Sequence, residues 1–497
     1  MFIHRIKEGG ALMGKKVLIQ NARAIVTCDQ NDTVCRNADI LVNGPEIESI
    51  GPSLSGTEQA EGAEVIDATG MLIYPGLINT HHHFFQTFVR NLITIDYANM
   101  TVPEWIAKIY KIFQAIDDDV IYYSSLTAMA DLIKHGCTAA FDHQYCYTDR
   151  TGKRPVDRQM EAADLLGIRY HAGRGTNTLP PESGSDMPVN MVETTEEFLD
   201  DCERLRKRYH DPRPFSMHQI VPSPCQPMNC RKETFVETVK YCRENGLRMH
   251  THLGEGENEV MVRRWGKRTL KWAEEIGFVG PDVWIAHAWE LTPEEWKTLA
   301  RTGTGVSHCP TPALLGGFPI LPIKDMQEAG VNISLGCDGS ATNDGSSLLD
   351  SMRLGWMAQS YFSKSRGGAI SPYDMLKIAT VNGAKTLGRD DLGSLEPHKA
   401  ADLFMIDSAK LELTGAFHDP KNLLARCGVT GYTDLTMVNG RVVWRNGTLT
   451  GVDEEKLSAE GEKVFDRVIK EPFHTFYSVS WLSCNSRRQF VRRDACL

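Results

Sequence analysis

Between Leu77 and Asp338 this chain repeats one phrase: a short apolar run stops at a polar residue, and an amphipathic stretch follows and stops near a glycine. Leu77-Ile78 leads into His81, Ala139-Ala140-Phe141 into Asp142-His143, Ile168-Arg169-Tyr170 into His171, and Ile220-Val221 into Pro222. Leu247-Arg248-Met249 leads into His252, Val283-Trp284-Ile285-Ala286 into His287, Gly305-Val306-Ser307 into His308, and 331–335 into Asp338. Helical patterns lie between them, over 121–134, 157–166, 196–209, 233–244, 262–276 and 323–329, most closed by a glycine, the common helix stop. Thr292-Pro293-Glu294-Glu295 opens another, with a capping threonine and proline at its first position. Eight strand–helix units in series predict an α/β fold, a (β/α)8 TIM-like barrel whose active site sits at the C-terminal ends of the strands. Most of those ends carry His or Asp, side chains that bind metals.

The flanks read differently. Residues 17–27 and 38–42 alternate like strands, with a turn at Asn43-Gly44. The pattern returns at 403–406, 435–438 and 442–444, with Asn439-Gly440 as a hairpin turn. The two chain ends are therefore expected to meet in a small β-sandwich. The expected division is 16–74 for its first part, 75–395 for the metal-dependent barrel, 396–452 for the second part, and 453–497 for a C-terminal helix and tail. Residues before Lys16 read as a poorly ordered leader. The stretch 472–497 mixes aromatics with four arginines and is not assigned.

The net charge of −10 does not favour nucleic acid or an anionic membrane surface. No apolar run approaches a membrane span, and residues 1–14 contain no signal-peptide core, so a cytoplasmic location is expected. Thirteen cysteines, an odd number with no Cys-x-x-Cys, read as reduced thiols rather than a disulfide framework or a zinc-thiolate site.

Asn79-Thr80-His81-His82-His83 ends the first run. Side chains of a strand alternate faces, so His81 and His83 point one way and His82 the other. Two imidazoles on one face make a jaw for a transition metal. His252 is the natural third nitrogen, one step nearer the rim than His250, which reads as a satisfied core histidine. Asp338 ends the eighth strand, which barrel closure brings beside the first. Three imidazoles and a carboxylate with one position open describe a catalytic zinc site, one ion per chain; Fe2+ is accepted by the same donors. A cation of this kind lowers the pKa of water from about 15.7 toward about 7. Asp338 and His287 can accept and orient the proton released, and Glu255, three residues beyond His252, can donate to a ring nitrogen and to the departing amine.

The stretches Pro75-Gly76-Leu77-Ile78-Asn79-Thr80-His81-His82-His83, His252-Leu253-Gly254-Glu255, Ala286-His287, Ser307-His308-Cys309-Pro310 and Gly336-Cys337-Asp338-Gly339-Ser340 resemble the amidohydrolase superfamily, in its mononuclear deaminase branch. The likeness covers nearly the whole chain, about 16–452. His81 to Gln86, Phe141-Asp142-His143-Gln144-Tyr145 and Asp338-Gly339-Ser340-Ala341-Thr342-Asn343-Asp344-Gly345 are similar to the hydroxyatrazine and 8-oxoguanine types. The resemblance implies a hydrolase acting on carbon–nitrogen bonds other than peptide bonds. It would remove an amino or alkylamino group from a small heterocycle, either an s-triazine or an 8-oxoguanine-like ring. It also implies a metal, usually zinc, and a homo-oligomer. Thr311-Pro312-Ala313 replaces the Ser-Asn that many branch members carry after Cys-Pro, and resembles the hydroxyatrazine type more than the purine type.

Gln86, Trp105, Asp142 and Tyr145, beyond the first two strands, are expected to hydrogen-bond and stack on a flat polar ring. Arg174, after the third strand, is expected to face a carbonyl or an anion, against the plainer reading of a salt-bridged arginine. His143 is expected behind the ligands, and His308 as a loop support. Four readings compete. One is a non-enzyme, a barrel of this family without its metal that serves in binding or assembly, and the full ligand set argues against it. A guanine- or isoxanthopterin-type deaminase needs only a different pocket. A cyclic-amide-opening enzyme needs a carboxylated lysine bridging two metals, and the fourth strand offers none. A cytidine-type deaminase needs His-x-Glu and Pro-Cys-x-x-Cys, and both are absent.

Overall fold

A computed structural model describes residues 15–91, 100–363 and 369–470. The expected leader up to residue 14 and the 472–497 tail lie outside the described residues.

Eight parallel strands form the barrel in two runs of four. Leu77–Asn79, Cys137–Gln144, Arg169–Thr176 and His218–Pro224 pair in that order. So do Met249–Leu253, Val283–His287, Gly305–His308 and Ile333–Leu335. Backbone bonds sew the two runs together. His252 N–H donates to the Cys225 carbonyl at 3.2 Å, Thr80 N–H to Leu335 at 3.0 Å, and Asp338 N–H to His81 at 3.0 Å. The Thr80 hydroxyl reinforces the second seam, 2.7 Å from Ser307 Oγ and 2.9 Å from Ser334 Oγ inside the barrel. Closure of this kind leaves no free edge.

One strand runs further than its apolar residues indicate. The third continues from Arg169 to Thr176, so His171 lies deep in the barrel and not at its rim. The fourth ends at Pro224, as its pattern indicates. The helical pattern expected over 262–276 is two helices, Asn258–Trp265 and Thr269–Glu275, broken where Gly266 adopts a left-handed φ of 69°, a conformation that costs glycine little. Elsewhere sequence chemistry sets helix starts directly. Thr292 and Glu295 form a reciprocal capping box at Pro293–Thr302, satisfying amides that have no partner inside the helix.

Both chain ends join one continuous nine-stranded sheet. Leu403–Asp407 lies antiparallel to Met71–Pro75, and Lys16–Val26 follows on the other side. Where a two-sheet sandwich was expected, the strands form this single sheet, against which packs an apolar core of its own that includes Ile19, Ile40, Ile73, Leu403 and Met437. A wholly buried arginine joins it to the barrel. Arg169 reaches Asp402 at 3.0 and 3.3 Å and the Phe215 carbonyl at 2.9 Å. Glu454–Phe465, capped by Asp453, packs on helix Asp118–Lys134, where Tyr123 donates to Glu460 at 2.9 Å. No helix among the described residues is long and apolar enough to cross a membrane.

Candidate metal centre and cleft

His81, His83, His252, His287 and Asp338 converge at the C-terminal mouth of the barrel, each at the end of a strand or in the extended residues just beyond it. His82 points away, its Nε2 2.9 Å from Ser346 Oγ, as strand parity requires. Asp338 Oδ1 is 3.3 Å from both His81 Nε2 and His83 Nε2. His83 Nε2 and His252 Nε2 are 3.1 Å apart.

The hydrogen-bond partners behind these rings determine where their protons sit. His83 Nδ1 faces the His143 carbonyl at 2.9 Å, and His252 Nδ1 faces the Cys225 carbonyl at 2.7 Å. A carbonyl only accepts, so each Nδ1 carries the hydrogen and each Nε2 presents a lone pair. For His81 the argument runs through one more ring. His250 Nδ1 donates to the Trp284 carbonyl at 3.0 Å, which leaves His250 Nε2 to accept from His81 Nδ1 at 2.9 Å. His81 Nε2 is therefore also a lone pair, and it is buried with no hydrogen-bond partner. Burial holds His81 at about 3 and His252 well below the ordinary imidazole range, so both are neutral near pH 7. Three lone pairs and a carboxylate oxygen turned toward one another repel unless a cation lies between them. The donor set thus fits a divalent metal with nitrogen and oxygen ligands, and the candidate groupings of ligand atoms include His81 with His83 and His252, and His81 with His287 and Asp338.

The backbone is bent to make this arrangement. His287, Ala288 and Asp338 have φ of 72°, 58° and 64°, a left-handed conformation that costs a non-glycine residue about 1–3 kcal/mol and persists only where its surroundings enforce it. Asp338 is held by its seam bond to His81. Its carboxylate accepts from Gly339 N–H at 2.8 Å and Thr342 Oγ1 at 3.2 Å.

Above the donors lies a cleft. Glu255 Oε1 is 3.2 Å from His287 Nε2. Burial, with Asp338, Glu257 and Glu290 nearby, raises the Glu255 carboxyl well above the ordinary range, which favours a protonated acid at neutral pH. His287, held at about 3 by burial, stays neutral. Gln86 and Tyr145 line the cleft, with Gln86 Nε2 donating to Tyr145 Oη at 3.1 Å and Gln86 Oε1 accepting from Ala341 N–H at 3.3 Å. Gly339 lets the Gln86 amide lie close, because a Cβ there would stand 1.9 Å from Gln86 Oε1 and displace that side chain. Trp105 lines the cleft beside Val102 and Ile106 on helix Val102–Phe113.

Asp142 and Arg174 stand elsewhere. Asp142 is buried behind the first strand, where it accepts from Phe84 N–H and from Gln159 Nε2 at 2.8 Å. Burial pushes its carboxyl up to about 7. Arg174 turns outward into Glu193 at 2.7 and 2.8 Å and Asp201 at 2.9 Å, stacked on Tyr147. Every nitrogen of that guanidinium is occupied by these groups and by the Gly175 carbonyl, so the substrate contact expected of it gives way to the salt-bridged reading. His143 lies behind the ligands, its carbonyl on His83 and its ring stacked 4.9 Å from that of His252. The His308 carbonyl accepts from Gly336 N–H at 2.9 Å, which extends the pairing with the eighth strand, and its ring Nε2 is buried without a hydrogen-bond partner.

Sequence reasoning missed Gln226, which donates to Glu255 Oε2 at 3.2 Å. It also missed Glu257, whose carboxylate accepts from the backbone of Gly254 and Glu255 at 2.6 and 2.7 Å. The fourth strand ends at Pro224, as its pattern indicates, so Gln226, two residues on, was open to the same rim argument. His250 is a satisfied core histidine, as expected, but one whose bond orients a ligand.

The sequence profile of the amidohydrolase family matches residues 72–443. The chain belongs to that family. This amidohydrolase is 50% identical over 452 residues to hydroxydechloroatrazine ethylaminohydrolase of Pseudomonas sp. (strain ADP), covering 90% of the chain and 94% of the relative. It is 32% identical over 448 residues to 8-oxoguanine deaminase of Pseudomonas aeruginosa, covering 89% and 96%. Among solved structures, a triazine hydrolase variant superposes with a TM-score of 0.86 at 29% identity, over 91% of this chain and 99% of that one. Atrazine chlorohydrolase TrzN from Arthrobacter aurescens TC1, complexed with zinc, superposes with a TM-score of 0.84 at 28% identity, over 90% and 100%. The amidohydrolase fold is thus a TIM-like barrel with a flanking sheet, in line with the sequence reading.

Proposed function

We propose that this amidohydrolase is a mononuclear zinc aminohydrolase that removes an alkylamino group from an uncharged s-triazine of the hydroxyatrazine class. His81, His83, His252 and Asp338 would hold the ion. Zinc supplies Lewis acidity, which brings the pKa of water from about 15.7 toward about 7. Asp338 and His287 orient the attacking water and take its proton, with Thr342 holding Asp338 Oδ2 in place. Glu255 delivers a proton to the leaving nitrogen as its bond to the ring carbon breaks.

The substrate class rests on the cleft and on the 50% identical relative. Among the described residues no Arg or Lys side chain lines the cleft, so none of them offers a partner to an anionic substituent. Val102, Ile106 and Trp105 offer an apolar wall suited to an alkyl chain. Tyr145, already receiving a hydrogen bond from Gln86, keeps its own hydroxyl hydrogen to donate to a ring substituent. The observation that carries the reading is the convergence of three lone-pair nitrogens and Asp338 beneath the acid Glu255.

The test is release of ethylamine and ammonia from hydroxyatrazine, 8-oxoguanine, guanine and isoxanthopterin, with and without chelator. Chelator-sensitive ethylamine release from hydroxyatrazine is expected. Turnover of the purines or the pterin alone would move the assignment to the purine-type branch.

The proposal extends to a cytoplasmic homo-oligomer. Every cysteine among the described residues is a free thiol, in keeping with a reducing compartment. Leu314 and Leu315 are exposed on a helix that packs against the one exposing Met357 and Tyr361, an apolar surface of the kind buried between subunits. Light scattering in solution checks the assembly.

A further inference from the structure

Gln226 begins the turn Gln226-Pro227-Met228-Asn229 just beyond the fourth barrel strand. Asn229 N–H donates to the Gln226 carbonyl at 3.0 Å, and proline in the second position presets the backbone of such a turn. The side chain is buried, only 2% exposed. Asn229 Nδ2 lies 3.5 Å from Gln226 Oε1, which sets that end of the amide as the acceptor and turns Nε2 onto Glu255 Oε2 at 3.2 Å. The other carboxyl oxygen, Oε1, lies 3.2 Å from His287 Nε2, on the side of the ligand cluster. Below, Glu257 grips the Gly254 and Glu255 amides. The Glu255 carboxyl is thus fixed from its backbone and from one oxygen.

A carboxylic acid has one oxygen that bears hydrogen and one that only accepts, and an amide N–H pairs with the second. We propose that Gln226 is a positioning residue for the hydrolysis: it holds Oε2 as the accepting oxygen and reserves Oε1 to carry and deliver the proton. This rests on the deaminase reading above. In the step concerned, the Oε1 proton passes to the leaving nitrogen and the ring C–N bond breaks, its electron pair staying on that nitrogen. Glu255 becomes a carboxylate with Oε2 still held by Gln226. The attacking water forms the new C–O bond, and the one proton it loses to Asp338 and His287 passes to Glu255 Oε1, 3.2 Å from His287 Nε2, and restores the acid.

Gln226→Leu keeps the bulk and removes the donor. Loss of a hydrogen bond to a group that becomes charged is expected to lower kcat about 10–100-fold, with KM and bound metal changed less than about twofold. Placed on Glu255→Gln, the same substitution should lower the residual rate by less than about twofold, because residues acting as one unit are non-additive. Gln226→Asn, which keeps an amide on a shorter arm, should fall between, and it carries the test if the leucine variant does not fold. An unchanged kcat, the full loss repeated in the Glu255→Gln background, or loss of bound metal would overturn the proposal. A wild-type protein inert toward every heterocycle would instead overturn the functional reading on which it rests.

Discussion

His83 Nε2 and His252 Nε2 stand 3.1 Å apart with lone pairs facing, because the opposite nitrogen of each ring is committed to a backbone carbonyl. Ring orientation is set by the barrel before any ion arrives. The metal therefore meets a preorganised site, and the carbonyls of His143 and Cys225 are as much a part of it as the imidazoles.

His250 does the same for His81 from one step deeper, through a 2.9 Å bond. His250→Phe should leave the barrel folded and weaken metal binding by about 10–100-fold. Competition with a chelating dye measures it, and unchanged affinity would show that His81 needs no such anchor.

Glu255→Gln keeps the shape of the side chain and its contact with Gln226, and removes the transferable proton. It should lower kcat by about 10²–10⁴-fold with metal content unchanged, as read by steady-state kinetics and elemental analysis on one preparation.

Arg174→Met should act on stability. Breaking its pairs leaves Glu193 and Asp201 facing an apolar side chain, a cost of about 3–5 kcal/mol for a fully buried pair and less here, where both carboxylates are partly exposed. Denaturant unfolding should register this loss while KM stays within about twofold. A large KM rise would return Arg174 to the substrate.

His308 makes stability pH-dependent. Burial holds its imidazole at about 3, against 6.5 for a free one. The folded-state value is the lower of the two, so the unfolded chain takes up the proton first. Stability is complete above pH 6.5 and falls as pH drops toward 3, by about 1.4 kcal/mol per pH unit for each such histidine. His308→Gln should flatten the slope of the unfolding midpoint between pH 6.5 and 5 by about one proton. An unchanged slope would mean that His308 is protonated in the fold.

Much of this molecule is legible in its sequence. Eight apolar runs give the barrel, and parity along 81–83 separates His81 and His83 from His82. What is hidden depends on where strands end. His171 looked like a rim residue and lies deep, because the third strand runs on through Gly173 and Gly175, which carry no apolar signal. Gln226 went unseen for another reason: the fourth strand ends at Pro224 as its pattern indicates, but nothing local marks which side chain of the turn beyond it reaches Glu255. Asp142 and Arg174 are polar residues near strand ends whose partners, Gln159, Glu193 and Asp201, come from distant helices and loops. A one-dimensional pattern shows that a charged group is near the rim, but not which way it turns.

The most direct test of the account is the number of zinc ions bound per chain, by elemental analysis of the wild-type protein and of His252→Ala purified in parallel. Three lone pairs and one carboxylate around a single point predict about one ion in the wild type and nearly none in the variant. Two ions per wild-type chain, or a variant that keeps its full complement, would contradict it.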